Sequence, residues 1–381
     1  PSDNLGSILA LCDHLSQKRL SKGYEPFSMR EVLEFMIMAH EIQGVLAIEN
    51  SFNRVGLDHV LLVRVASTAI SAKIMGGSKD QILSAISHSW VDGSSLRTYR
   101  HAPNAGSRKS WAAGDATSRG VRLADIALRG EMGVPGVLTA PQWGFYDVSY
   151  NKTNKDQKLK DKSDQIFKFN RTYSSYVMEH ILFKIQYPAE FHAQTAVEAA
   201  IKLHESVASK LEIIDKIVIR TQEPAIRIIS KVGKLANAAD RDHCIQYMVA
   251  VGLIFGDLIA EYYEDDFHQE NQLIDKLRDK MIIEEDNQFS MDYLDPEKRS
   301  IANAVQVFFN DGTCSDDIQI EYPIGHKKRR EEGIPLLEEK FWNNLNTCFD
   351  KDKSKLIYDL CLDQEKLEKT KVHEFMELFV K

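Results

Sequence analysis

Long apolar runs, clustered cysteines and an excess of positive charge are all missing from this sequence, and each absence removes a class of function. The longest apolar stretch, YMVAVGLIFGDLIA from Tyr247 to Ala260, is interrupted by Asp257. It is too short and too polar to span a bilayer, so a buried helix is expected there and no membrane partner. The five cysteines, Cys12, Cys244, Cys314, Cys348 and Cys361, form no C-x-x-C pair. That spacing argues against a zinc site or an iron–sulfur cluster, and scattered thiols fit a reducing compartment. Lys and Arg number 48 against 56 Asp and Glu, a net charge of −8. A general nucleic-acid binder is disfavoured, and any anion site must be local. No P-loop, G-x-G-x-x-G or H-E-x-x-H pattern is present to supply a competing chemistry.

What is present reads as a mainly helical chain with an α+β insertion. At 381 residues, two domains are expected rather than one. The opening PSDNLGSILA places Ser2 or Asp3 as a helix N-cap, with Leu5, Ile8, Leu9 and Cys12 facing a core. Ser28-Met29-Arg30-Glu31 and Ser78-Lys79-Asp80-Gln81 both fit the capping box, in which a Ser oxygen and an acid or amide three residues on satisfy free N–H groups. In the Ala- and Gly-rich stretch from Ser107, residues Ala112, Ala116, Gly120, Leu123 and Ala127 define one packed helix face, and Gly130 is its stop. The polar stretch 151–167 reads as a surface excursion. After it the periodicity changes to alternation, with strands expected at Asp215–Thr221, at Met281–Glu285 and on both sides of Asn310-Asp311-Gly312. The expected division is a helical domain over 1–183, an α+β domain over 184–325 and a return to the helical domain over 326–381.

Several residues in this framework can carry chemistry. LRTYRHAPNAGSRKS holds Arg97, Arg100, His101, Arg108 and Lys109 just before a helix. It is either a solvated basic loop or a site for a small polyanion, since Arg offers a fork matched to carboxylates and Lys a point charge. His59 follows Asp58 at a helix entry and is either a structural group or a proton-transfer group oriented by the carboxylate. Lys184 and His192 lie near the expected domain junction, and His243 and Tyr247 share a helical face; a surface or core role competes with a functional one at each.

With those residues in view, the chain resembles the MmgE/PrpD family. The resemblance runs through AHEIQGVLAIENSFNRVGLDHVLLVRVAST, WVDGSSLRTYRHAPNAGSRKSWAAGDATSRGVRLA, LTAPQWGFYDVS, LFKIQYPAEFHAQTAVEAA, ADRDHCIQYMVA and EYPIGHKKRREEGIP. It implies a large helical domain built from both chain ends, a smaller inserted α+β domain, an active site between them and a homodimer. The branch resembled implies dehydration of 2-methylcitrate to 2-methyl-cis-aconitate, in the route of propionate breakdown, with no iron–sulfur cluster or other cofactor. Related tricarboxylate chemistry, aconitate decarboxylation or isomerisation, is the first alternative. Relatives carry a helical segment before the PSDN stretch, so a truncated and catalytically silent fragment is the second. The Lys-, Asn- and Asp-rich insertion suggests fungal usage, hence a mitochondrial matrix location, with a bacterial cytoplasm as the alternative.

The resemblance also implies roles for particular residues. His59 falls on an active-site histidine of the related cis-aconitate decarboxylases and Lys109 on an active-site lysine five residues before Gly114. Tyr247 matches an active-site tyrosine, and Lys184 a cationic position with one more residue before the proline. Where the decarboxylases place a histidine directly after Pro-Ala, this chain has Glu190, and His192 is the expected substitute. His59 is therefore expected to transfer protons and Lys109 to bind a carboxylate, with Arg100, His101 and Arg108 as helpers.

Overall fold

The helical signals at Ser28 and Ser78 become two complete capping boxes in the structure, a computed structural model that describes residues 2–93, 95–101, 103–150 and 166–381. The stretch read as a surface excursion lies almost wholly outside the described residues. The fold is mostly helical with one small mixed sheet. It divides into two units: unit 1 comprises residues 1–98, 110–179 and 341–381, and unit 2 comprises 99–109 and 180–340.

Unit 1 is built on α1 (Leu5–Leu20), α2 (Met29–Glu49), α3 (Val60–Ile74), α4 (Lys79–Val91) and most of α5 (Arg108–Leu128). Every residue of α3 from Val60 to Ala72 is buried, Arg64, Ser67, Thr68 and Ser71 included, so this helix is enclosed on all sides and packs against α1, α2 and α4. Small residues let α5 approach α3: a Cβ added at Gly120 would stand 2.9 Å from the Ser67 Cβ and 3.0 Å from the Thr68 nitrogen. The buried face of α5 includes Ala112, Ala116, Gly120, Ala124 and Ala127, with Leu123 only half-buried. Gly130 leaves the helix with φ +102°, a left-handed conformation that glycine adopts without a Cβ clash.

The start of the chain departs from its sequence signal. Ser2–Asn4 forms a short 3₁₀ turn, α1 begins at Leu5, and neither Ser2 nor Asp3 caps it. Asn4 takes the cap position, but its buried amide is engaged elsewhere: Nδ2 donates to Gln43 Oε1 at 2.7 Å and Oδ1 accepts from Ser67 Oγ at 2.7 Å. Ile8 and Cys12 reach the core as expected, whereas Leu5 is exposed.

Unit 2 contains β1 (Ile214–Thr221), β2 (Met281–Glu285), β3 (Asn303–Phe309) and β4 (Ile318–Ile320) in the order β2-β1-β3-β4. β1 runs parallel to β2 and antiparallel to β3, and β3 is antiparallel to β4 with Asn303 opposite Ile320. The turn after β3 uses Gly312 at φ +85°. Ile217 and Ile219 of β1 join a core formed with the helices Gln194–Val207 and Ile245–Phe255, which pack against each other. The second of these is the apolar stretch singled out in the sequence. It stops at Phe255, short of Ala260, because Gly256 takes a left-handed φ of +66° close against His204. Among the described residues, no helix is long and apolar enough to cross a membrane.

Candidate active site

Residues 99–109 of the basic stretch group with unit 2, whereas Arg97 belongs to unit 1. Ala105 is buried and its carbonyl accepts from Asn237 Nδ2 at 2.9 Å. Gly106 accepts the N–H of Lys109 at 3.1 Å, opening α5 with Arg108 and Lys109 at its first turn. Arg100 donates to the Tyr99 hydroxyl at 3.1 Å, and the guanidiniums of Arg100 and Arg108 lie 5.0 and 5.6 Å from the centre of that buried ring. Two cations thus share one aromatic platform. His101 follows on the same turn, half-buried, its carbonyl accepting from Asn104 at 2.8 Å.

Lys109 is enclosed, its side chain only 11% exposed. Its ammonium meets the Asp242 carboxylate, His243 Nδ1 at 2.8 Å and the Ala239 carbonyl at 3.3 Å. Burial pushes the Lys109 ammonium below its usual pKa, and Asp242 opposes that fall. For Asp242, burial alone would raise the carboxyl, but His243 and Lys109 together hold it below its usual range. His243 also stands 3.0 Å from Asp242 Oδ1 through Nδ1.

A second cluster lies on the turn before the helix Gln194–Val207. Glu190 caps this turn, accepting the His192 N–H at 2.8 Å, and its two carboxylate oxygens lie 2.8 and 2.9 Å from His192 Nδ1. His192 Nε2 faces the Tyr293 hydroxyl at 3.2 Å. Burial would raise the Glu190 carboxyl, but His192, through its ring and its backbone N–H, holds it down to about 2. An ionised Glu190 can only accept, so His192 donates to it from Nδ1, and Nε2 pairs with the Tyr293 hydroxyl. Burial and the Glu190 charge raise the Tyr293 phenol, which stays protonated. Lys184 reaches the same turn, its ammonium 5.1 Å from the centre of the Phe191 ring.

The structure therefore places Arg100, His101, Arg108, Lys109, Lys184 and His192 on unit 2. Lys109 contacts His243 directly, and His192 contacts Glu190 and Tyr293. Tyr247 belongs to the same unit but lies in its core: it is fully buried, donates its hydroxyl to the Tyr262 carbonyl at 2.6 Å and stacks on Tyr263. His59 belongs to unit 1, at the entry of α3. Its Nδ1 stands 3.3 Å from Oδ1 of Asp58 and its Nε2 3.9 Å from Asp3 Oδ2. Asp58 is fully buried, with Arg97 Nη1 3.3 Å from Oδ2 and the Val60 N–H 3.2 Å from Oδ1, so it is a fixed carboxylate partner for the imidazole.

Asp242 and Tyr293 emerge only from the structure, which also gives Glu190, legible before only as the residue in place of a histidine, its partners. A weak signal for the first was available, since Asp-His occurs at Asp13-His14, Asp58-His59 and Asp242-His243. The dipeptide alone does not discriminate, because His14 is exposed on α1 while the other two pairs are built into charged clusters.

Comparison with known proteins extends these observations to the whole chain. A 2-methylcitrate dehydratase of Escherichia coli (strain K12) is 56% identical over 383 residues, spanning 100% of this chain and 77% of that protein. The mitochondrial 2-methylcitrate dehydratase of Yarrowia lipolytica is 52% identical over 387 residues, spanning 100% of this chain and 71% of that protein. A probable 2-methylcitrate dehydratase of Saccharomyces cerevisiae is also 52% identical, over 388 residues, with 73% of its length covered. The MmgE/PrpD N-terminal domain matches residues 1–158 and the MmgE/PrpD C-terminal domain residues 187–364, and the chain belongs to the MmgE/PrpD family.

Proposed function

We propose that this chain is a hydro-lyase that removes water from 2-methylcitrate to give 2-methyl-cis-aconitate, in the breakdown of propionate. The observation that carries the reading is identity above one half, over the full chain, with proteins named for that dehydration. The chemistry of unit 2 supports it. Taking a proton from carbon beside a carboxylate builds negative charge where charge already exists, so nearby cations lower the barrier. Arg100 and Arg108, held on the Tyr99 ring, supply forked donors for carboxylates, and His101 and Lys184 add polar and positive groups on the same unit. Lys109 adds positive charge from a buried position. His59, oriented by Asp58, is proposed as a proton-transfer group on the geometry of its own pair. Tyr247 is proposed to shape the site from within the core.

The reaction is taken to be acid–base chemistry needing neither an iron–sulfur cluster nor another cofactor. A homodimer is proposed from the family resemblance, and a mitochondrial matrix location from the Yarrowia relative. Incubation with 2-methylcitrate tests the reading: an unsaturated tricarboxylate is expected without loss of carbon. Release of carbon dioxide would instead assign a decarboxylase, and an unchanged substrate would leave a silent member of the fold. Light scattering on the purified protein checks the dimer, and imaging of a tagged copy checks the location.

A further inference from the structure

The Lys109 ammonium carries three N–H donors and has three acceptors around it, in Asp242, His243 and the Ala239 carbonyl. No donor is left to grip a substrate carboxylate, so a direct binding role does not follow from this geometry. An ammonium has no lone pair, so in the Lys109–His243 contact Nζ donates and Nδ1 accepts; the 3.0 Å approach of Nδ1 to Asp242 Oδ1 is then that of two acceptors bridged by one ammonium, not a hydrogen bond between them. With Nδ1 accepting, the His243 ring carries its proton on Nε2. Among the described residues Nε2 makes no hydrogen bond, and the side chain is 18% exposed. Lys109, Asp242 and His243 therefore form one closed cluster whose outward-facing proton sits on His243.

We propose that His243 is a further catalytic residue, the acid that protonates the departing hydroxyl, with Lys109 and Asp242 as positioning residues that act through it. This rests on the dehydration reading above. As the substrate C–O bond breaks, its electron pair stays with the oxygen, which takes the Nε2 proton and leaves as water. Nδ1 takes a proton from the Lys109 ammonium, so the ring remains neutral, now protonated at Nδ1 beside the Asp242 carboxylate, and Lys109 becomes a neutral amine. The electron pair of the C–H bond becomes the new π bond, and that proton goes to a separate imidazole or carboxylate base. The base then releases its proton to solvent, His243 Nε2 takes one from solvent, and Nδ1 returns its proton to the Lys109 amine.

The surroundings suit this exchange. Burial already favours the neutral amine of Lys109, as do the positive charges of Lys231 and Arg100, while Asp242 holds the proton in place. Glu190 lies within electrostatic reach of His243, and Tyr263 within reach of Asp242. Removing Asp242 leaves cations acting on Lys109 without their nearest counter-charge, so the cluster loses its proton at lower pH.

Three measurements on the full chain test the assignment. His243→Gln is expected to lower kcat on 2-methylcitrate by about 10²–10⁴-fold with KM little changed. Asp242→Asn is expected to move the alkaline limb of the kcat profile to lower pH, which a merely structural role would not do. Nitrogen-15 NMR of histidine-labelled wild-type protein is expected to show the His243 proton on Nε2, a readout independent of any variant's folding. A kcat for His243→Gln within about threefold of wild type, an unmoved alkaline limb, or a proton found on Nδ1 would each overturn the proposal. A wild-type protein inert toward 2-methylcitrate would instead overturn the dehydration reading, and the assignment with it.

Discussion

Glu190 illustrates how a residue's neighbours, rather than its type, set what it does. Its carboxylate is enclosed, yet His192 offers both a ring N–H and a backbone N–H to it. With the folded pKa held down to about 2 against an ordinary 4.5, the unfolded chain takes up this proton first as pH falls. The stabilisation is therefore fully present above pH 4.5 and is lost as pH falls from there toward 2. Glu190→Gln is expected to be less stable than wild type at neutral pH, with the gap closing below pH 4.5; urea unfolding at a series of pH values measures it. None of this was legible beforehand, because Glu190 in the sequence shows only a lost histidine position. His192 and Lys109 were legible as residues, but not their partners. Tyr293 comes from 101 positions further on than His192, and Asp242 from 133 beyond Lys109.

At the scale of elements, legibility follows how local the cause is. A capping box is complete within four residues, so Ser28 and Ser78 could be read directly, and the alternation of β1 was equally plain. The cap at the chain start failed for the opposite reason: Asn4 bonds to Gln43 and Ser67, contacts that no local pattern records. The parallel pairing of β1 with β2 is likewise non-local. Local and distant causes meet at Gly120, where the small-residue face was visible but the distance of approach was not. A methyl there would press on the Ser67 Cβ and on the α3 backbone, neither of which swings away as a side-chain tip can. Gly120→Ala is expected to destabilise by about 1–3 kcal/mol despite alanine's higher helix propensity, because overpacking outweighs it. Ser28→Ala, which removes one half of a capping box, is expected to cost about 1 kcal/mol. Thermal unfolding monitored by circular dichroism ranks the two.

On the scale of the whole molecule, each unit is assembled from segments distant in sequence, and unit 1 depends on residues at both ends of the chain. Val372 is fully buried in a cluster with Ile8, Cys12, Phe27, Ile70 and Ile74. Two backbone bonds tie its segment to the entry of α2, Met29 N–H to the Thr370 carbonyl at 2.8 Å and Val372 N–H to the Phe27 carbonyl at 2.9 Å. The sequence gives a natural probe for this unit: of its four tryptophans, Trp90, Trp111, Trp143 and Trp342, all lie in unit 1. Removing two buried methyl groups loses their transfer energy and leaves a cavity. Val372→Ala is accordingly expected to cost about 2 kcal/mol, read as a lower urea midpoint of tryptophan fluorescence. Ile217→Val, in the sheet of unit 2, removes one buried methyl and is expected to cost about 1 kcal/mol. Because unit 2 holds no tryptophan, the native emission spectrum should be unchanged by Ile217→Val, with the loss seen in amide exchange of β1 and β3. A native emission spectrum altered by Ile217→Val would show that this substitution disturbs unit 1, contrary to a core built wholly from the residues of unit 2.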